Sequence, residues 1–224
     1  MRTEIKRVEL TDLDLRLSSL RLCDPVTLRR LRKSVQRDGV RTPVLVSDGV
    51  VDGKLVVVDG FKRIQVVMDG GERELEVRVV TLDEMAAHAA LLVCNRPERG
   101  VTDIEEAWVV QSLCRKHKLS QMKVGQLLSR HKSWVSRRLK LVENLEDEVV
   151  EEVRLGLLCV SVARELHRLP RGNQIEVSGC IRKHGLSVRQ AARLVSKVLS
   201  CEDPEAKREL LGDPLQYVAA DAER

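Results

Sequence analysis

Aromatic side chains are nearly missing from this 224-residue chain; Phe61, Trp108, Trp134 and Tyr217 are the whole set. A sheet that stacks unpaired bases needs several exposed rings, so single-strand binders of that type are excluded. No run of 18 apolar residues occurs, and no membrane span is expected. The first ten residues, MRTEIKRVEL, hold no apolar core, so no secretory leader is expected. The six cysteines at 23, 94, 114, 159, 180 and 201 form no Cys-x-x-Cys pair and no metal-finger spacing. A reducing, cytoplasmic setting is therefore the expectation. The most localised absence is of carboxylates: Ala107 to Val142 carries nine Lys and Arg and no Asp or Glu. A surface of one sign repels itself unless an anion compensates it, so an anionic partner is expected there. The net charge of +5 hides this block, because residues 143–224 are net acidic.

What is present divides the chain in two. Asp24-Pro25 reads as an N-cap followed by an N1 proline, and Gly39 lies where a helix ends. Pro43–Val46 and Leu55–Val58 read as strands joined through the turn dipeptides Asp48-Gly49 and Asp52-Gly53. A helix is expected from Phe61 to Met68 and a third strand from Leu75 to Val80. After Thr81 the period is helical, with capping-box patterns at Thr81/Glu84, Thr102/Glu105 and Ser187/Gln190. The expectation is an α+β domain over residues 1–95, an all-helical domain over 96–200 and a polar tail over 201–224, the tail as a short helix or without order.

The sharpest motif lies at residues 120–141, SQMKVGQLLSRHKSWVSRRLKL. Two short helices crossing steeply need a small residue at their contact, and Gly125 supplies it. Val124 and Leu128 would face inward from the first helix, and Val135 and Leu139 from the second. Ser133 is the expected N-cap of the second helix. The spacing is that of a DNA-binding helix-turn-helix, with Ser129 where a turn glycine is usual. Lys132, Ser133, Ser136 and Arg137 fall where a recognition helix meets base edges, with Trp134 beside them. Arg130, Arg138, Lys140 and Gln121 are placed for phosphates.

A second feature is the strand, turn and helix start from Val56 to Arg63. Gly60 permits close backbone approach, a helix start offers free N–H groups, and Lys62 and Arg63 add positive charge. On physical grounds this fits either a phosphate cradle or a plain turn.

Taken in order, several segments resemble the ParB family of chromosome and plasmid partition proteins. They are Ser34–Gly39 followed by Thr42–Val46; Val58-Asp59-Gly60-Phe61-Lys62-Arg63, similar to the family's Gly-x-Arg-Arg box; and Leu91 to Arg96, similar to its Glu-Asn-x-x-Arg stretch. Asp103 to Ala107, the helix-turn-helix and Gly185 to Gln190 complete the match. The resemblance implies an α+β N-terminal ParB/sulfiredoxin-like domain followed by an all-α helix-turn-helix domain. It implies sequence-specific binding of double-stranded DNA, regulated by CTP with magnesium, in partition, mobile-element or transcription control. By position, Gly60, Phe61, Lys62, Arg63 and Asn95 would form the nucleotide site, and Asn95 would help hold the metal. A homodimer, and a partner ATPase or a partition or transposition protein, are the further partners it implies. Only residues 201–224 remain to correspond to the family's dimerisation domain.

Three substitutions set this chain apart. Lys62 replaces an arginine and loses the forked donor. Phe61 replaces a glutamate. Cys94 stands where the family uses a glutamate for hydrolysis, and a neutral thiol does not replace that base without activation, so weak CTP hydrolysis at most is expected and no catalytic residue is assigned. The alternative is a nuclease or a phosphotransfer enzyme on the same N-terminal fold. Asp59 and Glu72 are the carboxylates available to a nuclease. A sulfiredoxin-type reductase would need a cysteine at Phe61.

Overall fold

The structure is a computed structural model and describes residues 3–49, 53–94 and 101–218. Packing divides the chain into two compact units, Met1–Arg138 and Leu139–Arg224. The boundary expected at residue 95 falls within the first of these.

In the first unit a five-stranded mixed sheet has the order β1-β5-β3-β4-β2. Its strands are β1 (Glu4–Glu9), β2 (Leu13–Asp14), β3 (Val44–Ser47), β4 (Leu55–Asp59) and β5 (Glu74–Val80). β3 and β4 pair antiparallel as the turn dipeptides predict, whereas β3 and β5 run parallel and β1 closes the other edge antiparallel to β5. Alternation along β5 buries Leu75, Val77 and Val79 and exposes the residues between. These side chains meet Val44, Val46 and Val57 from β3 and β4, and Ile64 and Val67 from α2 (Phe61–Asp69). Strands β1 and β2 were not expected. β1 has a burial pattern with no buried residue, so it lacks the apolar alternation that would mark it.

Helix α1 (Pro25–Asp38) begins as read: Asp24 accepts from the backbone N–H groups of Val26 and Thr27, and Gly39 ends it at φ +68°. α3 (Glu84–Val93) packs on α4 (Asp103–Arg115). The cap of α3 differs from the Thr81 pattern. Asp83 accepts from the Ala86 N–H, and the Thr81 hydroxyl instead donates to Asp48. α4 has the full Thr102/Glu105 capping box.

Glu105 also explains why the first unit extends past residue 95. Its carboxylate, 2% exposed, accepts from the Leu22 N–H at 2.9 Å and the Thr102 N–H at 2.8 Å, and faces Arg21 Nε at 3.5 Å. The start of α4 is thereby fastened to the segment before α1. Helix α5 (Gln121–Leu127) follows, and α6 (Lys132–Glu143) runs across the division between the units.

The second unit is helical: α7 (Asp147–Arg154), α8 (Val160–Leu166), α9 (Gln174–Lys183), α10 (Val188–Ser200), α11 (Pro204–Gly212) and α12 (Pro214–Val218). Gln174 is fully buried and pins three backbones: it accepts from the Glu146 N–H and donates to the carbonyls of Asn144 and Leu169. Ser187 and Gln190 form the capping box read for α10. Residues 201–218 are more than a polar tail. Asp203-Pro204 repeats the Asp24-Pro25 start signal, and Leu210 and Val218 are buried.

Removing the Glu105 carboxylate leaves Arg21 without its acidic partner in a half-closed setting. Glu105→Ala is expected to cost roughly 3 kcal/mol in urea unfolding, far more than an exposed helix glutamate would.

Candidate nucleic-acid interface and anion cleft

The helix pair forms as its spacing demands. Ser120 caps α5 by accepting from the Lys123 N–H, and Val124 and Val135 are fully buried. Gly125 is the contact point. A Cβ there would lie 2.6 Å from the Arg130 carbonyl oxygen, while the Gly125 carbonyl accepts from the Arg130 N–H at 2.8 Å. Backbone touches backbone, so only glycine fits. Ser129 adopts φ +54°, the left-handed conformation of the glycine it replaces.

The cap of α6 is not Ser133. The helix begins at Lys132, and the His131 carbonyl accepts from Trp134 and Val135. His131 Nδ1 accepts from the Ser133 N–H at 3.2 Å and pairs with the Ser133 hydroxyl at 2.8 Å. A ring nitrogen therefore satisfies a donor that a Ser or Asp oxygen usually takes.

The basic residues separate into two groups. Arg138 turns inward: Nε donates to Glu106 at 2.6 Å and Nη2 to Asp103 at 2.8 Å, with its side chain 18% exposed. It therefore holds α6 to the first turn of α4 rather than standing free for phosphate. The guanidinium carbons of Arg138 and Arg130 each lie 5.3 Å from the Trp134 ring centre, which fixes the indole between them by cation–π attraction. Lys132, Ser133 and Arg137 are exposed, and Gln121 and Ser136 are half-buried. Arg130 is exposed, and Lys140 is exposed farther along the same helix. Among the described residues no ion pair takes up Lys132 or Arg137.

The Gly60 turn opens onto a separate cleft of about 490 Å³, inside the range of small-molecule sites, about 300–1,000 Å³. Its lining includes Ser18, Arg21, Cys23, Thr27, Gly60 and Lys62. Gly60, at φ +105°, begins α2, and no side chain caps that helix. A Cβ on Gly60 would come within 2.8 Å of Val44, so the turn admits no side chain. The first N–H groups of α2 are thus left to an outside acceptor.

Arg63 does not face the cleft as a free cation. Its guanidinium donates to the carbonyls of Thr42 at 2.5 Å and Pro43 at 3.0 Å, and to Asp59 at 2.8 Å. It braces the turn from beneath, and it occupies Asp59, one of the carboxylates a nuclease would need. Phe61 packs against the sheet core. Lys62 remains half-exposed with no ion pair among the described residues. Arg21, which the sequence reading missed, lines the cleft with a buried Nη1 that has no hydrogen-bond partner. An orphaned guanidinium nitrogen, an uncapped helix start and a glycine-only turn together fit an anionic ligand such as a triphosphate. Asn95 lies outside the described residues. Cys94 is half-buried, and burial, reinforced by the Asp59 carboxylate, pushes its thiol above the usual range. It stays a neutral thiol.

Residues 99–200 match the family model described as the ParB HTH domain, a span that contains the helix pair. Residues 99–200 are thus a ParB helix-turn-helix domain. The chain is 25% identical over 189 residues to the probable chromosome-partitioning protein ParB of Vibrio cholerae, covering 84% of this chain and 63% of that relative. It is 30% identical over 185 residues to the chromosome-partitioning protein ParB of Myxococcus xanthus, covering 82% and 61%. The chain thus spans about three fifths of the length of these relatives. Among solved structures, a pNOB8-like ParB N domain matches with a TM-score of 0.51 at 16% identity, covering 98% of this chain and 94% of that one, a likeness of fold. The α+β domain followed by a helix-turn-helix domain is the ParB arrangement. Among the described residues no helix is long and apolar enough to cross a membrane.

Substitutions at two positions test the helix pair. Gly125→Ala forces a methyl into a carbonyl and is expected to cost about 2 kcal/mol. Ser129→Gly relieves the left-handed serine and should stabilise by up to about 1 kcal/mol, whereas Ser129→Val should destabilise. Thermal melts followed by circular dichroism read both.

Proposed function

We propose that this chain is a ParB-family protein that binds a specific double-stranded DNA site through α5 and α6, and that a nucleoside triphosphate in the Gly60 cleft regulates it. The observation that carries the DNA reading is the glycine-locked helix pair, which leaves Lys132, Ser133 and Arg137 exposed and Ser136 half-buried within a 36-residue window free of carboxylates. Lys132, Ser133, Ser136 and Arg137 read base edges. Arg130, Gln121 and Lys140 meet phosphates. Trp134 and Arg138 position the helix.

CTP is the nucleotide the family resemblance favours. Lys62, the N–H groups at the start of α2 and the orphaned Arg21 Nη1 hold its phosphates, and Arg63 keeps the turn in shape. Magnesium, held with help from Asn95, would offset the negative charge of the phosphates. Partition of a chromosome or plasmid is the role that the relatives support, with a homodimer and a partner ATPase as its natural associates. Control of a mobile element or of transcription uses the same DNA contacts.

Selection from random duplex DNA, with and without CTP, tests the whole reading, and a failure to enrich any sequence at low salt would refute it. Arg137→Ala should weaken the selected site by about 1–3 kcal/mol and relax its specificity, while Lys132→Ala lowers the salt slope. Arg138→Ala should lower the melting temperature as well as affinity, since it frees Asp103 and Glu106. CTP should raise the melting temperature, and the rise should shrink in Lys62→Ala and in Arg21→Ala; equal shifts in all three proteins would remove the cleft from the proposal.

A further inference from the structure

Away from both the cleft and the helix pair, three potential ligands converge where α3 meets the end of α4. Glu84 and His88 stand one turn apart on α3, and His117 lies just past the C-terminus of α4. One ligand atom from each falls within 4.8 Å of the others. His117 Nε2 and His88 Nδ1 are 3.2 Å apart, and their rings meet edge to face. Two nitrogens on one tetrahedral zinc sit about 3.3 Å apart, because each bond is about 2.0–2.1 Å. His88 is 2% exposed, whereas Glu84 and His117 are half-buried, so the group has a closed floor and an open side.

The geometry points to a site for a divalent transition metal, zinc by preference, held by Glu84, His88 and His117 with water in the fourth position. Two imidazoles and one carboxylate suit zinc and disfavour magnesium or calcium, which take oxygen ligands. Without metal, His88 Nδ1 lies 2.7 Å from the Glu84 carbonyl and donates its proton there. Metal binding requires the other neutral tautomer: Nδ1 gives up its proton, Nε2 takes one up from solvent, and the freed Nδ1 lone pair turns to the ion. Lys116 Nζ holds Glu84 Oε1 at 2.5 Å and leaves the second carboxylate oxygen for coordination. A bound ion would staple α3 to the end of α4, whose opposite end carries the Asp103 and Glu106 that grip Arg138.

The test titrates chelator-treated full-length protein with zinc and, separately, with cobalt. The expected result is one equivalent bound, a higher melting temperature and a tetrahedral cobalt spectrum without a thiolate charge-transfer band. His117→Ala, checked for folding by circular dichroism, should weaken binding by at least about tenfold. Lys116→Ala should bind more tightly, because it releases the carboxylate. That gain separates a metal site from a purely structural ion pair, whose loss would only destabilise. The inference is overturned if excess zinc gives neither heat nor thermal shift, or if His117→Ala binds as tightly as the parent. A thiolate band, which would place the ion on the cysteines, overturns it as well, as does weaker binding by Lys116→Ala.

Discussion

Arg138 forks between Asp103 and Glu106, at 2.8 and 2.6 Å, and the orientation of the second helix of the pair depends on that contact. The two carboxylates already sit at the start of α4, where the helix dipole favours negative charge. The guanidinium satisfies both with fixed, planar geometry, which a lysine would not reproduce. Trp134 lies against the same guanidinium, so the base of α6 is held by ion pairs and an aromatic face together. Because Arg138 is spent on the protein, the neighbouring Arg137 and Lys132 are left as the outward charges.

The same division between inner and outer cations recurs at the Gly60 turn. Arg63 is bound by two carbonyls and Asp59, while Lys62 one position earlier stays without an ion pair among the described residues. Arg21 stands between these roles, since its Nε faces Glu105 and its Nη1 has no acceptor. Glu105 in turn belongs to the capping box that starts α4. One helix start therefore receives contacts from the cleft side through Arg21 and Glu105, and from the helix pair through Arg138. Arg21, Glu105 and the start of α4 thus form a short chain of ion pairs and hydrogen bonds between the cleft and α6.

Features written within a few residues were legible. Asp24-Pro25, the Thr102 and Ser187 capping boxes and the β3–β4 hairpin all rest on contacts between near neighbours, so their spacing in the chain is their spacing in space. Gly125 was legible for a related reason: two helices joined by a short turn can cross only where one lacks a side chain. The Thr81 and Ser133 caps were misread because a better acceptor, Asp83 in one case and the His131 ring in the other, lay next to them. Pattern identifies a candidate acceptor but does not rank two adjacent ones.

The sequence by itself determined the succession of an α+β part and a helical part, the block without carboxylates and the turn that only Gly125 allows, because each follows from periodicity, local sterics or charge counted along the chain. Only the tertiary structure decided which basic residues are free. Arg63, Arg138 and Arg21 look alike as letters, yet they reach partners 21, 32 and 84 positions away, the Thr42 carbonyl, Glu106 and Glu105. Whether an arginine faces solvent or the protein depends on the carboxylates and carbonyls that folding brings beside it, and no local pattern records them.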